Sequence, residues 1–315
     1  MKPLWTFKKG ITQSFTREFR KCKMHCRLRY VEGWTPKVEP LYFRFGHLFH
    51  HILQHAYLEN KAYSPPVIAE MAEKYLQNWE ETQKKLFFGV QAKQKAENEF
   101  LIHMAKRILT MYFQYRFEDF INKKWLHTEA EFKVPYNGTF LRGCIDGMYL
   151  ENDHLEIMDH KCLAVFNTED LVQLLPHDTQ INLYAFAAYK LTGKFPRAVT
   201  YNIIRKSRLK QGKDESDIAY STRICQDVAE RPAHYFIRIR VPLSIHEVHE
   251  WITKQLSALL AEIYNWEQTG YSPYPYNEDA LITKYGRSDF YELIVNGNTN
   301  NYFQRDKVFP ELEGE

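Results

Sequence analysis

The stretch that decides the fold runs from Gly143 to Lys161 and reads Gly143-Cys-Ile-Asp-Gly-Met-Tyr-Leu-Glu-Asn-Asp-His-Leu-Glu-Ile-Met-Asp-His-Lys161. Its pattern predicts two antiparallel strands that meet at a tight turn around Asn152–Asp153. With the turn centred there, Asp146 lies directly opposite Asp159, and such opposed residues have Cβ atoms about 4.5–5.5 Å apart. Lys161 shares the face of Asp159 because it follows two residues later on the same strand.

Two carboxylates and an amine on one strand face suggest a metal site. Neighbouring carboxylates repel unless something offsets their charge, and Mg²⁺ and Mn²⁺ prefer carboxylate oxygens as ligands. A metal held this way polarises a phosphoryl oxygen and lowers the pKa of a bound water. Lys161 can then position or deprotonate the attacking water and stabilise charge on the phosphate. A surface salt bridge on a hairpin explains the same residues, and this stretch alone leaves both interpretations open.

The rest of the chain places this stretch in an α/β pattern. Apolar residues spaced by three and four predict helices over 12–32, 44–60, 66–83, 90–122, 178–191 and 245–268. Alternation predicts strands over 129–136, 139–150, 155–162, 198–204 and 235–241. Asn137-Gly138 is a strong hairpin signal between the first two strands. The central order is therefore helix, three strands, helix and strand, with a basic loop over 206–218 and an irregular tail.

An Asp on one strand followed by Asp-x-Lys on the next resembles the active-site motif of PD-(D/E)XK nucleases. Gly46-x-x-x-His50 and Gln180-x-x-x-Tyr184 resemble two further motifs of the RecB-like and Cas4-like branch. This resemblance implies a restriction-endonuclease-like αβββαβ core. We expect one domain over 1–315, divided into a core of about 12–60 and 127–205, a helical insertion of 61–126 and a C-terminal helical extension of 206–315.

The resemblance also implies a role for each matching residue. The implied ligands of Mg²⁺ or Mn²⁺ are the side chains of His50, Asp146 and Asp159 and the backbone carbonyl of His160. Lys161 matches the catalytic lysine, while Gln180 and Tyr184 match groups that support the site or contact DNA. Glu131, or alternatively Glu129, resembles the acidic residue that often precedes the three strands.

The cysteines depart from the family pattern. Many Cas4-like members hold an iron–sulfur cluster through one upstream Cys and three near the C-terminus, and four thiolates are the usual requirement. Cys22 and Cys26 lie upstream here, but the candidate downstream segment, residues 281–294, contains no Cys. We therefore expect no iron–sulfur cluster and expect side-chain packing in its place.

Charge and composition limit the class of protein, where it is located and whether it binds a membrane. The chain is 44% hydrophobic and 26% charged, which is ordinary for a globular protein and excludes a disordered one. No window approaches the roughly 18 apolar residues of a membrane helix, and no apolar stretch at the N-terminus resembles a signal peptide. We expect a cytoplasmic protein with no membrane partner.

Basic residues concentrate in two segments of this nearly neutral chain. Residues 1–30 hold nine Lys and Arg against Glu18 alone, and Arg197 to Lys213 contains no acid. Such local positive surfaces suit a polyanion. The predicted DNA-contacting residues are Lys21, Lys23, Arg205, Lys206, Arg208 and Lys210.

Together these features predict a metal-dependent deoxyribonuclease that hydrolyses phosphodiester bonds. The resemblance favours an exonuclease of DNA recombination, repair or end processing, acting on single-stranded DNA or duplex ends in a bacterial or phage context, with a possible helicase or recombination partner. The alternatives are a structure-specific endonuclease of the same superfamily and a DNA-binding module without catalysis. The intact Asp146, Asp159 and Lys161 argue against the last of these.

Overall fold

A five-stranded mixed sheet is the framework of the computed structural model. Its strands lie in the order Lys124–Tyr136, Thr139–Glu151, His154–Leu163, Ala198–Arg205 and Phe236–Pro242. The structure describes residues 2–87, 92–164, 167–283 and 286–312, so residues 1, 88–91, 165–166, 284–285 and 313–315 of the predicted domain lie outside the described residues. The strands are β1 (Trp34–Pro36), β2 (Lys124–Tyr136), β3 (Thr139–Glu151), β4 (His154–Leu163), β5 (Ala198–Arg205), β6 (Phe236–Pro242), β7 (Ile282–Thr283), β8 (Gly286–Arg287) and β9 (Tyr302–Gln304).

The helices surround this sheet. They are α1 (Gln13–Lys21), α2 (Lys23–Cys26), α3 (Leu41–Leu58), α4 (Pro65–Phe87), α5 (Ala92–Tyr115), α6 (Asp119–Asn122), α7 (Thr168–Leu174), α8 (Thr179–Thr192), α9 (Asp217–Glu230), α10 (Pro232–Tyr235), α11 (Ile245–Glu250), α12 (Ser257–Gln268) and α13 (Tyr291–Asn296). Wider π-type turns cover Arg27–Val31 and Trp251–Leu256. Short 3₁₀ turns cover Phe7–Lys9, Leu175–His177 and Glu278–Ala280.

Two tight hairpins build the predicted three-strand meander. Asn137 and Gly138 join β2 to β3 with φ values of 45° and 78°. Asn152 and Asp153 join β3 to β4 with φ values of 50° and 61°. Left-handed backbone at both central residues is the type I′ geometry, which matches the twist of the flanking strands. The turn predicted at Asn152–Asp153 is therefore confirmed, and it sets the register of the candidate site.

The fourth strand of the core returns parallel to β4. Helix α8 begins at Asp178, whose side chain accepts hydrogen bonds from the amides of Gln180 and Ile181, and it ends at the left-handed Gly193. After this crossover β5 pairs in parallel with β4, with Ile203 opposite Lys161. The αβββαβ order predicted from the sequence is thus present.

Apolar side chains cover both faces of the sheet. On one face Ile157 belongs to a core that includes Ile181 of α8 and Leu260 of α12. On the other face its neighbour Met158 belongs to a core that includes Ile52 of α3 and Leu109 of α5. Because successive strand residues point to opposite faces, β4 is buried on both sides between two layers of helices.

The helix predicted over 90–122 is two helices, α5 and α6, separated by a turn at 116–118, and residues 90–91 lie outside the described residues. Two further predictions also differ from the structure. The helix predicted over 12–32 is interrupted at Cys22, whose φ of −163° and ψ of 115° are extended. Helix α9 begins at Ser216, inside the predicted basic loop, where the Ser216 side chain accepts a hydrogen bond from the amide of Ala219. Both differences depend on local backbone conformation that apolar periodicity does not report.

The C-terminal segment packs back onto the N-terminal part of the chain. Strand β1 pairs antiparallel with β9. Leu28, Phe290 and Tyr302 form a small buried core of their own. Cys22 and Cys26 are buried free thiols nearby in the sequence. Phe290, which lies within the downstream segment 281–294, thus contributes an apolar contact to this small core.

Within the described residues, every helix is too short or too polar to cross a lipid bilayer.

Candidate active site

Asp146 of β3 and Asp159 of β4 lie side by side at the point where the two strands cease to pair. The β3–β4 pairing runs from Glu151 opposite His154 to Gly147 opposite Met158. One residue further on, the described ladder stops, and the backbone amide of His160 donates to Asp146 Oδ2 at 2.7 Å. The Asp146 side chain therefore reaches across to the β4 backbone directly beside Asp159.

Three side chains from three elements form what we call the His–Glu–Asp cluster. One ligand atom from each of His50, Glu129 and Asp146 lies within 4.8 Å of the others. His50 Nδ1 of α3 is 3.6 Å from Asp146 Oδ2, and His50 also hydrogen-bonds to the backbone of His160. Helix α3 thus places an imidazole at the point where β3 and β4 cease to pair and the two acidic residues lie side by side.

Glu129 is the acid of β2 that enters this cluster. Its φ is 47°, so β2 departs from regular extended backbone at this residue. Cys144 Sγ donates to Glu129 Oε2 at 3.1 Å. Glu131, the first choice from the sequence, is exposed, pairs in register with Cys144 and is not a member of the cluster. In a regular strand, residues two apart point to the same face. Alternation of apolar and polar residues therefore could not show that Glu129, and not Glu131, lies at the site.

Lys161 and Asp159 form an ion pair beside the His–Glu–Asp cluster. Lys161 Nζ lies 2.7 Å from Asp159 Oδ2, and the Asp159 side chain is 1% exposed. Gln180 joins both residues, because its oxygen accepts from Lys161 at 3.0 Å and its nitrogen donates to Asp159 Oδ1 at 3.0 Å. The Gln180 nitrogen also lies 2.9 Å from the Tyr184 hydroxyl. Gln180 therefore contacts the lysine and the acid directly, and Tyr184 of the predicted Gln-x-x-x-Tyr pair on α8 contacts Gln180.

A buried polar network behind the site was not predicted. Asn202 Nδ2 donates to His160 Nδ1 at 2.8 Å, and Asn202 Oδ1 accepts from Arg238 Nε at 3.2 Å. Arg238 is held in turn by Asp119, and the His160 ring stacks on Tyr57 with centroids 5.7 Å apart. The network fixes the residue whose amide holds Asp146. An Asn inside the otherwise apolar strand 198–204 was the available sequence signal.

Burial and mutual repulsion set the protonation of the carboxyl groups. Burial, together with the charge of Asp146, raises the pKa of Glu129 to about 7. Burial, with a further contribution from Asp146, raises the pKa of Asp159 to about 6 despite the opposing effect of Lys161. Burial also raises the pKa of Asp146. Carboxyl groups that retain protons near neutral pH are crowded acids that lack sufficient positive charge.

The two basic groups at the site respond in opposite ways. Burial, followed by the charge of Lys161, lowers the pKa of His50 to about 4, so its imidazole is neutral and has a lone pair available. Burial alone would lower the pKa of Lys161, but Asp159 and Asp146 outweigh it and raise that pKa. Lys161 is therefore an ammonium group at neutral pH.

This donor set fits a hard or borderline divalent cation. A neutral imidazole and several carboxylates are suitable ligands for Mn²⁺, and the carboxylates alone suit Mg²⁺. A cation would replace the protons that the crowded carboxyl groups otherwise retain. The residues present therefore fit a divalent metal.

The predicted DNA-contacting residues lie at two places. Arg205 ends β5 opposite Leu163, two positions beyond the Lys161–Ile203 pair. Lys206 follows it and donates to the Tyr42 carbonyl at 2.8 Å. Arg208 and Lys210 are exposed in the following loop.

The N-terminal basic residues lie near the start of α8. Arg20 Nη1 donates to Thr179 Oγ1 at 3.4 Å, which connects the end of α1 to the residue before Gln180. Lys21 is exposed, and Lys23 pairs with Glu262 at 3.0 Å.

Comparison with known families agrees with this geometry. The sequence profile of the PD-(D/E)XK nuclease superfamily matches residues 11–276, a range that includes every predicted site residue. The chain belongs to this superfamily, and membership confirms the predicted α/β fold class. No curated protein matches the chain. The superfamily suggests a hydrolytic nuclease that acts on DNA with divalent metal ions; the RecB-like and Cas4-like branch stays a prediction.

Proposed function

We propose that this chain is a divalent-metal-dependent deoxyribonuclease that works as a single domain. One observation carries the proposal: the His–Glu–Asp cluster lies directly beside the Lys161–Asp159 pair. The His160 amide links the two groups, because it donates to Asp146 while His160 stands between Asp159 and Lys161 in β4. A cation site and a fixed ammonium group are the two parts that phosphodiester hydrolysis needs.

In this proposal His50, Asp146, Asp159 and the His160 carbonyl hold Mg²⁺ or Mn²⁺, and Glu129 provides a further carboxylate. The bound metal would polarise a phosphoryl oxygen and lower the pKa of a water ligand. A bound metal would displace the protons of the buried carboxyl groups, so metal affinity should rise with pH. Glu131 is the other acidic candidate. It is exposed on β2, the strand of Glu129, and in this proposal it lies outside the metal ligands.

Lys161 stabilises the negative charge that develops on the phosphate. Its ammonium group is held between Asp159 and Gln180, so little reorganisation is needed during the reaction. In this proposal Gln180 positions Lys161 and Asp159, and Tyr184 acts through its contact with Gln180. Both residues support the catalytic site.

Exonuclease action in recombination, repair or end processing is supported by the resemblance to the RecB-like and Cas4-like branch. The same resemblance supports a bacterial or phage origin, a cytoplasmic location and a helicase or recombination partner. Basic residues at the end of β5 and at the end of α1 would bind the DNA backbone on either side of the site. A structure-specific endonuclease is the second candidate, because it uses the same chemistry.

A cleavage assay with linear and circular DNA, each single-stranded and double-stranded, tests the proposal. With Mg²⁺ or Mn²⁺ we expect loss of linear DNA only, no cleavage with a chelator, and at least about 100-fold slower cleavage by Lys161→Ala. Cleavage of circles would favour the endonuclease. DNA binding without any cleavage would favour a non-catalytic module, and full activity of Lys161→Ala would overturn the mechanism.

A further inference from the structure

We propose that a cavity next to the candidate active site binds one unstacked nucleobase of the substrate. The cavity has a volume of about 350 Å³, and we call it the aromatic cavity after its five ring-bearing residues, Tyr42, Phe45, Phe100, Tyr220 and Tyr235. The proposal rests on the proposed nuclease function and narrows its substrate to DNA with unpaired bases.

Two independent elements place the aromatic cavity close to the site. Phe45 lies five residues before His50 on α3, a rise of about 7.5 Å along the helix. Arg205, which also lines the cavity, lies two strand residues beyond the register partner of Lys161, or about 7 Å. Helix α3 also passes close to β4, since a Cβ on Gly46 would lie 4.0 Å from Cys162 Cβ. The cavity is lined by core residues of the α3–α5 side of the sheet, and the proposal places in it the base of a nucleotide next to the scissile phosphate.

The walls suit a flat aromatic ligand. Phe100 and Tyr220 stack with centroids 5.8 Å apart and planes 14° apart. Tyr42 is 53% exposed at the mouth, whereas Phe45 is 8% exposed. Buried apolar residues such as Met104 complete the lining. The volume falls in the range of about 300–1,000 Å³ that is typical of small-molecule pockets. Since every base has two π-faces, stacking on such rings tolerates any sequence.

Positive charge at the rim selects a nucleotide over an apolar side chain of a protein. Lys206 Nζ lies 5.4 Å from the Tyr42 ring centroid and 5.3 Å from that of Phe45. Arg205 lines the same rim. A base that enters the cavity brings its own phosphodiester group to these cations, which gives a charge-assisted contact outside the apolar walls. A peptide side chain would leave both cations without an anionic partner from the ligand.

Base entry requires unstacking, which costs least in single-stranded DNA and at frayed ends. The aromatic cavity therefore predicts a preference for these substrates over intact duplex. It also predicts that the preference depends on the base itself and not only on the backbone charge.

A double-mutant cycle between protein and DNA tests this inference. The protein is the Lys161→Ala variant, which binds without cutting, and the DNA is a short single strand with one abasic site moved along its length. We expect the abasic site at one position to weaken binding about 5- to 150-fold, the effect of one lost stack. Tyr42→Leu should weaken binding of intact DNA comparably and should remove most of the penalty of that abasic site.

The controls separate this inference from the proposed function. Tyr264→Leu removes a similarly exposed tyrosine from α12 and should leave the abasic penalty unchanged. Tyr220→Leu changes a second aromatic residue of the lining and should act like Tyr42→Leu. If every abasic position costs the same in the variants as in their parent, the nucleobase site is wrong, whereas cleavage by the unaltered protein still supports the nuclease. Failure of the unaltered protein to cut any DNA overturns the proposed function and this inference with it.

Discussion

At the scale of single residues, the site depends on one glutamine that contacts both halves of an ion pair. Gln180→Ala removes the acceptor for Lys161 and a donor to Asp159. We expect kcat to fall about 10- to 100-fold, the usual effect of losing a group that orients a metal or catalytic ligand. Steady-state cleavage rates measure it. Gln173→Ala, on exposed α7, is the matched control and should keep full activity; equal rates in both variants would contradict a positioning role for Gln180.

Proton binding by Glu129 gives the metal-free protein an unusual pH dependence. Its pKa is raised to about 7 by burial and by Asp146, whereas an unfolded chain titrates near about 4.3. Between these values the native state binds more protons than the unfolded state, so the free energy of unfolding falls as pH rises. Asp159, with a pKa raised to about 6, adds to the lower part of this range.

Thermal unfolding in the presence of a chelator measures this dependence. Because the lowered pKa of His50 makes stability rise with pH and acts mainly below about pH 6, we expect the contribution of Glu129 to appear as a fall in Tm between about pH 6 and 7. We expect Mn²⁺ to reverse this loss because the cation replaces the proton. Glu129→Gln should flatten the change between pH 6 and 7, while Glu131→Gln should leave it intact. An unchanged slope in Glu129→Gln would show that Glu129 does not retain the proton.

The sequence predicted some of these residues and missed others for identifiable reasons. Asp146 and Asp159 were predictable because a two-residue turn at Asn152–Asp153 fixes their register through local chemistry. Glu129 was not distinguishable from Glu131, since the choice depends on a backbone angle of 47° at one strand residue. Asn202 acts through His160, a contact between strands that no local pattern reports.

At the scale of elements, the start of α8 controls the position of Gln180. Asp178 caps this helix by accepting hydrogen bonds from the amides of Gln180 at 2.6 Å and Ile181 at 3.3 Å. Asp178→Ala should lower the free energy of unfolding by about 1 kcal/mol, and it should also lower kcat because the helix start frays beneath Gln180. Denaturant unfolding and cleavage rates measure the two effects.

Helix α9 provides a matched control for the cap. Ser216 accepts a hydrogen bond from the Ala219 amide at 3.2 Å, far along the chain from Gln180. Ser216→Ala should cost a similar stability and leave kcat unchanged. If both variants lose activity in proportion to stability alone, α8 has no special role in positioning.

Elements with strong local signals or clear apolar periodicity, such as β5 and β6, were predicted well, whereas the break at Cys22 and helix α9 were not. Two hairpins and α8 have turn or capping residues at their ends, so their bounds follow from the sequence. No turn or capping residue in the sequence indicates the interruption at Cys22 of the helix predicted over 12–32. Helix α9 was missed because the basic residues before Ser216 resemble a solvated loop.

At the scale of the whole molecule, the C-terminal segment closes on the N-terminal part through Phe290, which is buried with Leu28 and Tyr302. Phe290→Ala should lower the free energy of unfolding by about 3–5 kcal/mol, because it leaves a cavity in this small core. Val295→Ala, at an exposed position of α13, should change it by less than about 0.5 kcal/mol. Denaturant unfolding of both variants shows whether the C-terminal segment contributes to stability through the burial of Phe290.

The same segment bears on the iron–sulfur hypothesis. Packing in place of a cluster predicts that the protein purified without air contains no stoichiometric iron. Iron at one cluster per chain, with the matching visible absorbance, would refute that hypothesis even if Phe290→Ala behaves as expected.

The central claim is that groups from α3, β2, β3 and β4 hold a divalent cation beside Lys161. Anomalous X-ray diffraction from crystals of the protein grown with Mn²⁺ tests it most directly. The account predicts an anomalous peak bonded to His50 and Asp146, with a further carboxylate from Glu129 or Asp159. An absent peak, or a peak bonded elsewhere with His50 and Asp146 unligated, at a Mn²⁺ concentration that supports DNA cleavage, would contradict it.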